Sequence, residues 1–439
     1  MNKDINKRMK KFQNQSALTI ITKVKPEKKQ SLIELFERIV QEDVETNSVI
    51  PFKKLSTIHF ARFAILDKSM DIETKQREIG PLLLLSTNYD SPLNNHLNEF
   101  VRIAGSGLDE IYSHCEGYPD IESINDHKRL NYLKEHMKPY GAFYNGSVGL
   151  SVKRINEEEK LRQAIETFID EMGINGDRSG QDVQGIRETI KEYISTTEFK
   201  WALTPPDKPP LSYLLLRGNG WKTAAKILFA LPFVILPLPI WLIILVYKEG
   251  TDKIFPYLRY NDRIKELAVR EDKIVQNQMT IVADMKPGTF RLYTLKSVFA
   301  AIELLARYWY TKGKLGSIPT IHFARWVFVD DDRSLLFLSN YGGSWESYLG
   351  DFIDKASTGL TGVWTNTVLF PKTRLLLFEG ATDEQRFKVW ARWQQIPTNL
   401  WYSAYPTLTI KNIINNKEIR KGLSGTMTNE ETRQWLRRL

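Results

Sequence analysis

Apolar and polar residues along the chain sort into short β-branched runs that alternate with helical periodicities. Residues 18–25 are apolar and β-branched, and Pro26 follows, a residue tolerated in a first helical turn. Leu32, Leu35, Phe36, Ile39 and Val40 then recur at the i, i+3, i+4, i+7, i+8 spacing of a helix with one buried face. "TIHFARFAIL" (57–66) and "PLLLLST" (81–87) are runs of strand length. Asn88 to Ser91 offer turn and N-cap chemistry before a helix carrying Leu97, Phe100 and Val101, and the run 142–152 closes the unit as a strand. The order is strand, helix, strand, strand, helix, strand.

The same order returns in the second half of the chain. "TIHFAR" occurs at 57–62 and again at 320–325. "LTIITKVKP" (18–26) matches "MTIVADMKP" (279–287), and "LLLLSTNYDSPLNNHLNEF" (82–100) matches "LLFLSNYGGSWESYLGDF" (335–352) with one gap. "GLDEIYSHCEGYP" (107–119) answers "GLTGVWTNTVLFP" (359–371), and "FYNGSVGLSVK" (143–153) answers "WYSAYPTLTIK" (401–411). Matches that keep their order in both halves predict a duplicated unit. A βαββαβ order is the ferredoxin-like split motif, whose antiparallel sheet carries helices on one face and needs its other face covered.

Two such units packed sheet to sheet resemble the dimeric α+β barrel superfamily, which includes the dye-decolourising peroxidases and the chlorite-dismutase-like haem proteins. The resemblance rests on element order over residues 15–155 and 277–415, and the peroxidase signature GxxDG does not occur in the chain. It implies an α+β fold of two tandem ferredoxin-like repeats packed as a pseudo-dimeric barrel. In its enzyme form it implies a haem-peroxidase-like oxidoreductase with His114, His59 and His322 as candidate axial ligands. Arg62 or Arg325 would then stabilise negative charge developing during peroxide cleavage.

The expected organisation is a basic tail (1–17), repeat 1 (18–155), a helical insertion (156–203), a proline-rich linker (204–226), an apolar segment (227–247), a connector helix (248–276), repeat 2 (277–415) and a basic tail (416–439). Within the insertion, Leu161, Ile165, Phe168, Ile169 and Met172 mark one helical face. The apolar segment carries no charge and is long enough to span a bilayer, yet Pro232, Pro237 and Pro239 interrupt it. Repeats that share a core must lie on one side of a membrane, so the expectation is a re-entrant anchor bent at the prolines. A straight span and a buried hairpin are the alternatives. Arg217, Lys222 and Lys226 before the segment, and Lys248, Lys253 and Arg259 after it, place the bulk of the chain on the cytoplasmic side by the positive-inside rule.

Composition is that of a folded protein, with 42% hydrophobic and 26% charged residues and a net charge of +9. The single cysteine excludes internal disulfides and cysteine-based zinc or iron–sulfur sites. Basic residues are scattered and no helix-turn-helix pattern occurs, so no nucleic-acid partner is expected. The terminal "NKDINKRMKK" and "RQWLRRL" are the densest basic patches. The second, with tryptophan beside arginine, suits an anionic lipid surface or an acidic partner face, and the first is no secretory signal because no apolar core follows it.

Strand alternation places His59, Ala61 and Phe63 on one face and Phe60 and Arg62 on the other. His59 and His322 read either as a haem ligand or general base, or as histidines hydrogen-bonded at an interface and kept twice by pseudo-symmetry. Where the copies differ, His114, Cys115 and Glu116 stand together, with His114 a candidate ligand and Glu116 a candidate base for a Cys115 thiolate. Here too a polar loop with a space-filling cysteine is the plain alternative. "WARWQQIPTNLWYSAYP" (390–406) is dense in aromatics, which wall an apolar ligand pocket or fill a core. Two functions fit: a membrane-associated protein that acts on or binds a hydrophobic small molecule, or a non-enzymatic membrane-bound interaction or scaffold protein whose barrel is structural.

Overall fold

A computed structural model describes residues 14–69, 77–173, 182–206, 238–253, 267–308, 318 and 320–439. Strand β1 (Gln15–Lys23) leads through a short 3-10 turn at Pro26 into α1 (Lys29–Glu42). Leu32, Leu35, Phe36 and Ile39 are buried as their spacing predicts, whereas Val40 is exposed. Strands β2 (Ile58–Ser69) and β3 (Arg77–Asp90) form an antiparallel pair, and β3 hands over to α2 (Leu93–Tyr112). Next come α3 (Asp126–Glu135) and β4 (Tyr140–Asn145).

The insertion forms α4 (Val152–Glu171) and α5 (Val183–Thr196), and α6 (Leu238–Thr251) follows it. The run 142–152 is therefore only partly strand, because Ser151 caps α4 through the amide of Arg154. The second half repeats the plan: β5 (Gln276–Asp284), α7 (Thr289–Tyr308), β6 (Ile321–Val329), β7 (Ser334–Gly342) and α8 (Trp345–Trp364). A small hairpin of β8 (Thr373–Arg374) and β9 (Phe378–Glu379), then α9 (Glu384–Gln394) and β10 (Leu400–Ser403), complete it. Helices α10 (Ile410–Gly422) and α11 (Asn429–Leu436) end the chain.

The fold class is α+β, built on two antiparallel four-stranded sheets ordered β1-β3-β2-β10 and β4-β6-β7-β5. Each sheet takes its outer strand beside β2 or β6 from the other half of the chain: Tyr402 of β10 pairs with Ala61, and Tyr144 of β4 pairs with Ala324. The sheets do not close into a barrel. Alternation gives each sheet two apolar faces. Ile58, Ala61, Phe63 and Ile65 meet the α1–α3 side, and Ala324 and Trp326 meet the α7–α9 side. Ala64, Leu66, Val327, Val329, Leu336 and Leu338 pack between the sheets. Helices α4, α5, α10 and α11 share a satellite core in which Leu161, Ile165 and Ile169 meet Trp435 and Leu436. The basic C-terminus is thereby built into the fold, with the Trp435 indole donating to the Ile419 carbonyl.

The transmembrane expectation is corrected. Among the described residues no helix is long and apolar enough to cross a membrane. Residues 227–237 lie outside the described residues, and the rest of the apolar segment forms α6, whose 14 residues make a helix about 21 Å long. Residues 1–13, 207–226 and 254–266, which carry most of the N-terminal basic tail and of the linker and the middle of the connector, also lie outside them.

Candidate functional site

The two arginines of the repeated motif lie between the sheets, and each reaches into the opposite half. Arg62 donates to the carbonyls of Met279 and Ser339 at 2.8 and 2.7 Å, to Thr280 Oγ1 at 3.0 Å and to Asn340 Oδ1 at 2.6 Å. Arg325 donates to the carbonyls of Leu18 and Thr87 at 2.6 and 3.4 Å, to Thr19 Oγ1 at 2.9 Å and to Ser86 Oγ at 2.7 Å. Leu18 pairs with Thr87 as Met279 pairs with Ser339, so the two cradles are equivalent by strand register. Between them the Asn340 amide donates to Asn88 Oδ1 at 2.9 Å. Burial pushes both guanidiniums down to about 9, with the charge of Arg325 adding to the effect on Arg62. Both stay charged at neutral pH, and neither has a carboxylate partner among these bonds. At 1% exposure, both guanidiniums spend their donors on carbonyl and side-chain oxygens of the opposite half.

The motif histidines sit at matching β-bulges, between Ile58 and Phe60 and between Ile321 and Phe323. Simple alternation places His59 with Ala61 and Phe63, and the bulge corrects this. The extra residue turns His59 into the inter-sheet layer, where its ring meets Phe323 and Tyr405, while His322 meets Phe60 and Tyr405. The neighbouring strand crosses tightly: the Gly146 amide donates to the His322 carbonyl, and a Cβ on Gly146 would lie 2.3 Å from the Ile321 oxygen.

Here the halves diverge. His59 Nδ1 lies 3.0 Å from the Tyr405 hydroxyl and Nε2 lies 3.0 Å from Asp90 Oδ1, while Asp90 Oδ2 accepts the Val152 amide at the start of α4. A proton on Nε2 donates to Asp90 Oδ1, and a ring protonated only there accepts the Tyr405 hydroxyl at Nδ1. Burial, reinforced by the Asp90 charge, raises the Tyr405 phenol well above its ordinary value. By register and repeat alignment Asp90 corresponds to Gly342, and Tyr405 to Ser147. His322 consequently has no hydrogen-bond partner on either ring nitrogen, and burial pushes it down to about 3.

The loop after α2 does not gather its three candidates into a site. The His114 Nδ1 bonds to the carbonyls of Glu110 and Ile111 at 2.9 and 3.2 Å. Cys115 is fully buried, accepts the Thr22 hydroxyl at 3.2 Å, and burial pushes its thiol up to about 11. Glu116 is exposed, and its amide ties the loop to the Lys23 carbonyl. A buried, protonated thiol is a packing group.

No family model, no curated protein and no solved structure matches this chain.

Haem ligation does not fit these residues, which corrects the peroxidase expectation. His59 and His322 are wholly enclosed between the sheets by aromatic rings, and His114 is turned onto its own helix end. Among the described residues no cluster of three or more His, Cys, Asp or Glu side chains is placed to hold a metal. The aromatic run 390–406 fills three cores in turn: Trp390 packs against Trp364 and Phe370 in the second, Tyr402 against Phe52 in the first, and Trp401 and Tyr405 against Phe60 in the cluster that also holds Phe323. A cleft of about 450 Å³ lies between the start of β4 and the β6–β7 turn, walled by Tyr140, Phe299 and Phe328, and holds none of the candidate residues. Asp90 and Tyr405, the partners of His59, were not singled out from the sequence. The signal was present, because both positions differ between the repeats.

Proposed function

We propose that the chain is a non-enzymatic interaction or scaffold protein, made of two fused ferredoxin-like units in the manner of the dimeric α+β barrels. The observation that carries this reading is the reciprocal engagement of Arg62 and Arg325, which turns the most chemical-looking motif of the sequence into a clasp between halves. The fused-pair reading is supported by the fourth strands. Residues beside β4 bond the outer edge of β1 through Ile21 N to His136 O at 3.1 Å and Lys138 N to Thr19 O at 2.8 Å. β4 itself pairs with β6. Residues before β10 repeat this on β5 through Ile396 N to Thr280 O at 2.8 Å. Each fourth strand thus straddles both sheets, as a pseudo-dimer would require.

The test is complementation of a deletion strain with a triple variant, His114→Ala, Cys115→Ser and Glu116→Gln. Full complementation is the expected result. A folded triple variant that fails to complement would return chemistry to that loop and overturn the scaffold reading.

A further inference from the structure

Helix α6 has two stripes with different fates. Trp241, Leu245, Glu249 and Asp252, spaced at about one turn, fasten it to the second half of the chain. The Trp241 indole donates to Thr294 at 3.1 Å, Leu245 is buried, and Asp252 pairs with Lys286 at 2.6 Å and Arg291 at 2.7 Å. Glu249 accepts Thr373 Oγ1 at 2.9 Å and the amides of Leu375 and Leu376 at 2.7 and 2.9 Å. On the other side Ile240, Ile243, Ile244 and Tyr247 follow the i, i+3, i+4, i+7 rule, and they are 63, 70, 37 and 71% exposed. A well-fastened helix whose free stripe is apolar marks a contact surface, not a frayed end.

The β8–β9 hairpin extends this surface. Leu375 and Leu376 both hold positive φ, 52° and 67°, a strained conformation for branched residues. The buried Glu249 carboxylate holds them there through their successive amides. The result displays Leu375, Leu377 and Phe378 at 42, 43 and 54% exposure beside the last turn of α6. Arg374 lies over the Phe378 ring at 5.9 Å. Lys248, Lys372 and Arg374 give the rim three cations. Of the acids beside them, Glu249 is buried and turned to the Thr373 hydroxyl and the Leu375 and Leu376 amides, and Glu379, within the hairpin, lies 3.6 Å from Arg374, so the rim keeps a net positive charge.

We infer that α6 and this hairpin form a docking surface for an amphipathic helix of a partner protein, apolar on one face and acidic along its flanks. The inference rests on the non-enzymatic reading above and names its contact. Helix spacing of the exposed stripe suits a second helix laid alongside, and the aromatic and arginine content matches the residue types that dominate protein interfaces.

The probe is a fluorescein-labelled synthetic peptide helix with leucines on one face and glutamates on both flanks, titrated into the full chain by anisotropy. Ile243→Asp and Arg374→Glu, both at exposed positions, are expected to weaken binding at least tenfold while leaving the circular dichroism melt unchanged. A peptide with lysine flanks is expected to bind more weakly than the glutamate one. Equal binding by wild type and Ile243→Asp, or no binding at all, would overturn the inference. So would Ile243-dependent sedimentation with phosphatidylglycerol vesicles in place of peptide binding. A benzophenone at position 243 that crosslinks only to residues 227–236 of its own chain would do the same. None of these outcomes alters the complementation result, so the two readings fail separately.

Discussion

His59 and His322 occupy the same bulge in the two halves, yet only His59 has hydrogen-bond partners. The difference traces to two positions, Asp90 against Gly342 and Tyr405 against Ser147. Strand register gives the two histidines equivalent places in the sheet interface, and the two differences leave His322 without a partner.

That stranding has a pH signature. His322 falls to about 3 in the fold, and His96, enclosed with Thr57 and Thr87 on its nitrogens, also falls to about 3 through burial. Both titrate near 6.5 when unfolded, so below that pH the unfolded chain binds more protons and stability drops until about pH 3. Around His322 stand His59, Tyr405 and Phe60, with no carboxylate bonded to its ring. Each histidine accounts for about 3 kcal/mol lost by pH 4. Urea midpoints at pH 7 and pH 4 are expected to show His322→Leu losing about half as much of this stability as wild type. An unchanged midpoint difference would refute the assignment.

The arginine clasp predicts that lysine is no substitute. A lysine at 62 or 325 supplies one ammonium where a planar fork now serves several acceptors in two strands. Buried carbonyls left without donors destabilise by about 1–3 kcal/mol each. Arg62→Lys and Arg325→Lys should each lower the unfolding free energy by about 2–4 kcal/mol, read from denaturant titration. A loss below about 1 kcal/mol would mean that the apolar sheet packing alone joins the halves.

Cys115 should behave as an inert group. Enclosure and a thiol pushed up to about 11 leave almost no thiolate at neutral pH. Its reaction with a disulfide reagent should proceed only as fast as the protein opens, and should become immediate in denaturant. Rapid labelling of the folded chain would contradict this geometry.

Much of this organisation was legible in the sequence. The strands and helices from β1 to α2, the inner residues of α1 and the insertion helices follow from periodicity, because one-sided burial imposes it, whereas α3, the β8–β9 hairpin, α9 and the C-terminal helices did not show in the pattern. What periodicity could not show was the exchange of fourth strands. "FYNGSVG" has the same pattern whether Tyr144 pairs within its own half or with Ala324. The bulges were hidden for a related reason: one inserted residue reverses a side chain without altering composition. Asp90 was read as turn and cap chemistry, yet Pro92 occupies the N-cap of α2 and Asp90 serves His59 and α4. The membrane expectation read the apolar run as a re-entrant anchor bent at its prolines, with a straight span as an alternative. Within the described residues, α6 instead buries Leu245 and Glu249 against the second half.

Glu249 offers the sharpest local test. One carboxylate satisfies a hydroxyl and two consecutive amides, and those amides belong to the residues with positive φ. Glu249→Gln replaces one accepting oxygen with a donor that faces other donors, so at least one of these groups loses its bond. The expected global loss is about 2 kcal/mol. The local effect should be larger, because the Glu249 carboxylate accepts both amides of the left-handed turn that the β8–β9 pairing only flanks. Hydrogen exchange should therefore lose protection at the Leu375 and Leu376 amides, while the β5–β7 ladder, such as Ile281 opposite Phe337, keeps its own. If the hairpin amides stay protected in Glu249→Gln, the turn is held by its own sequence and the carboxylate is incidental.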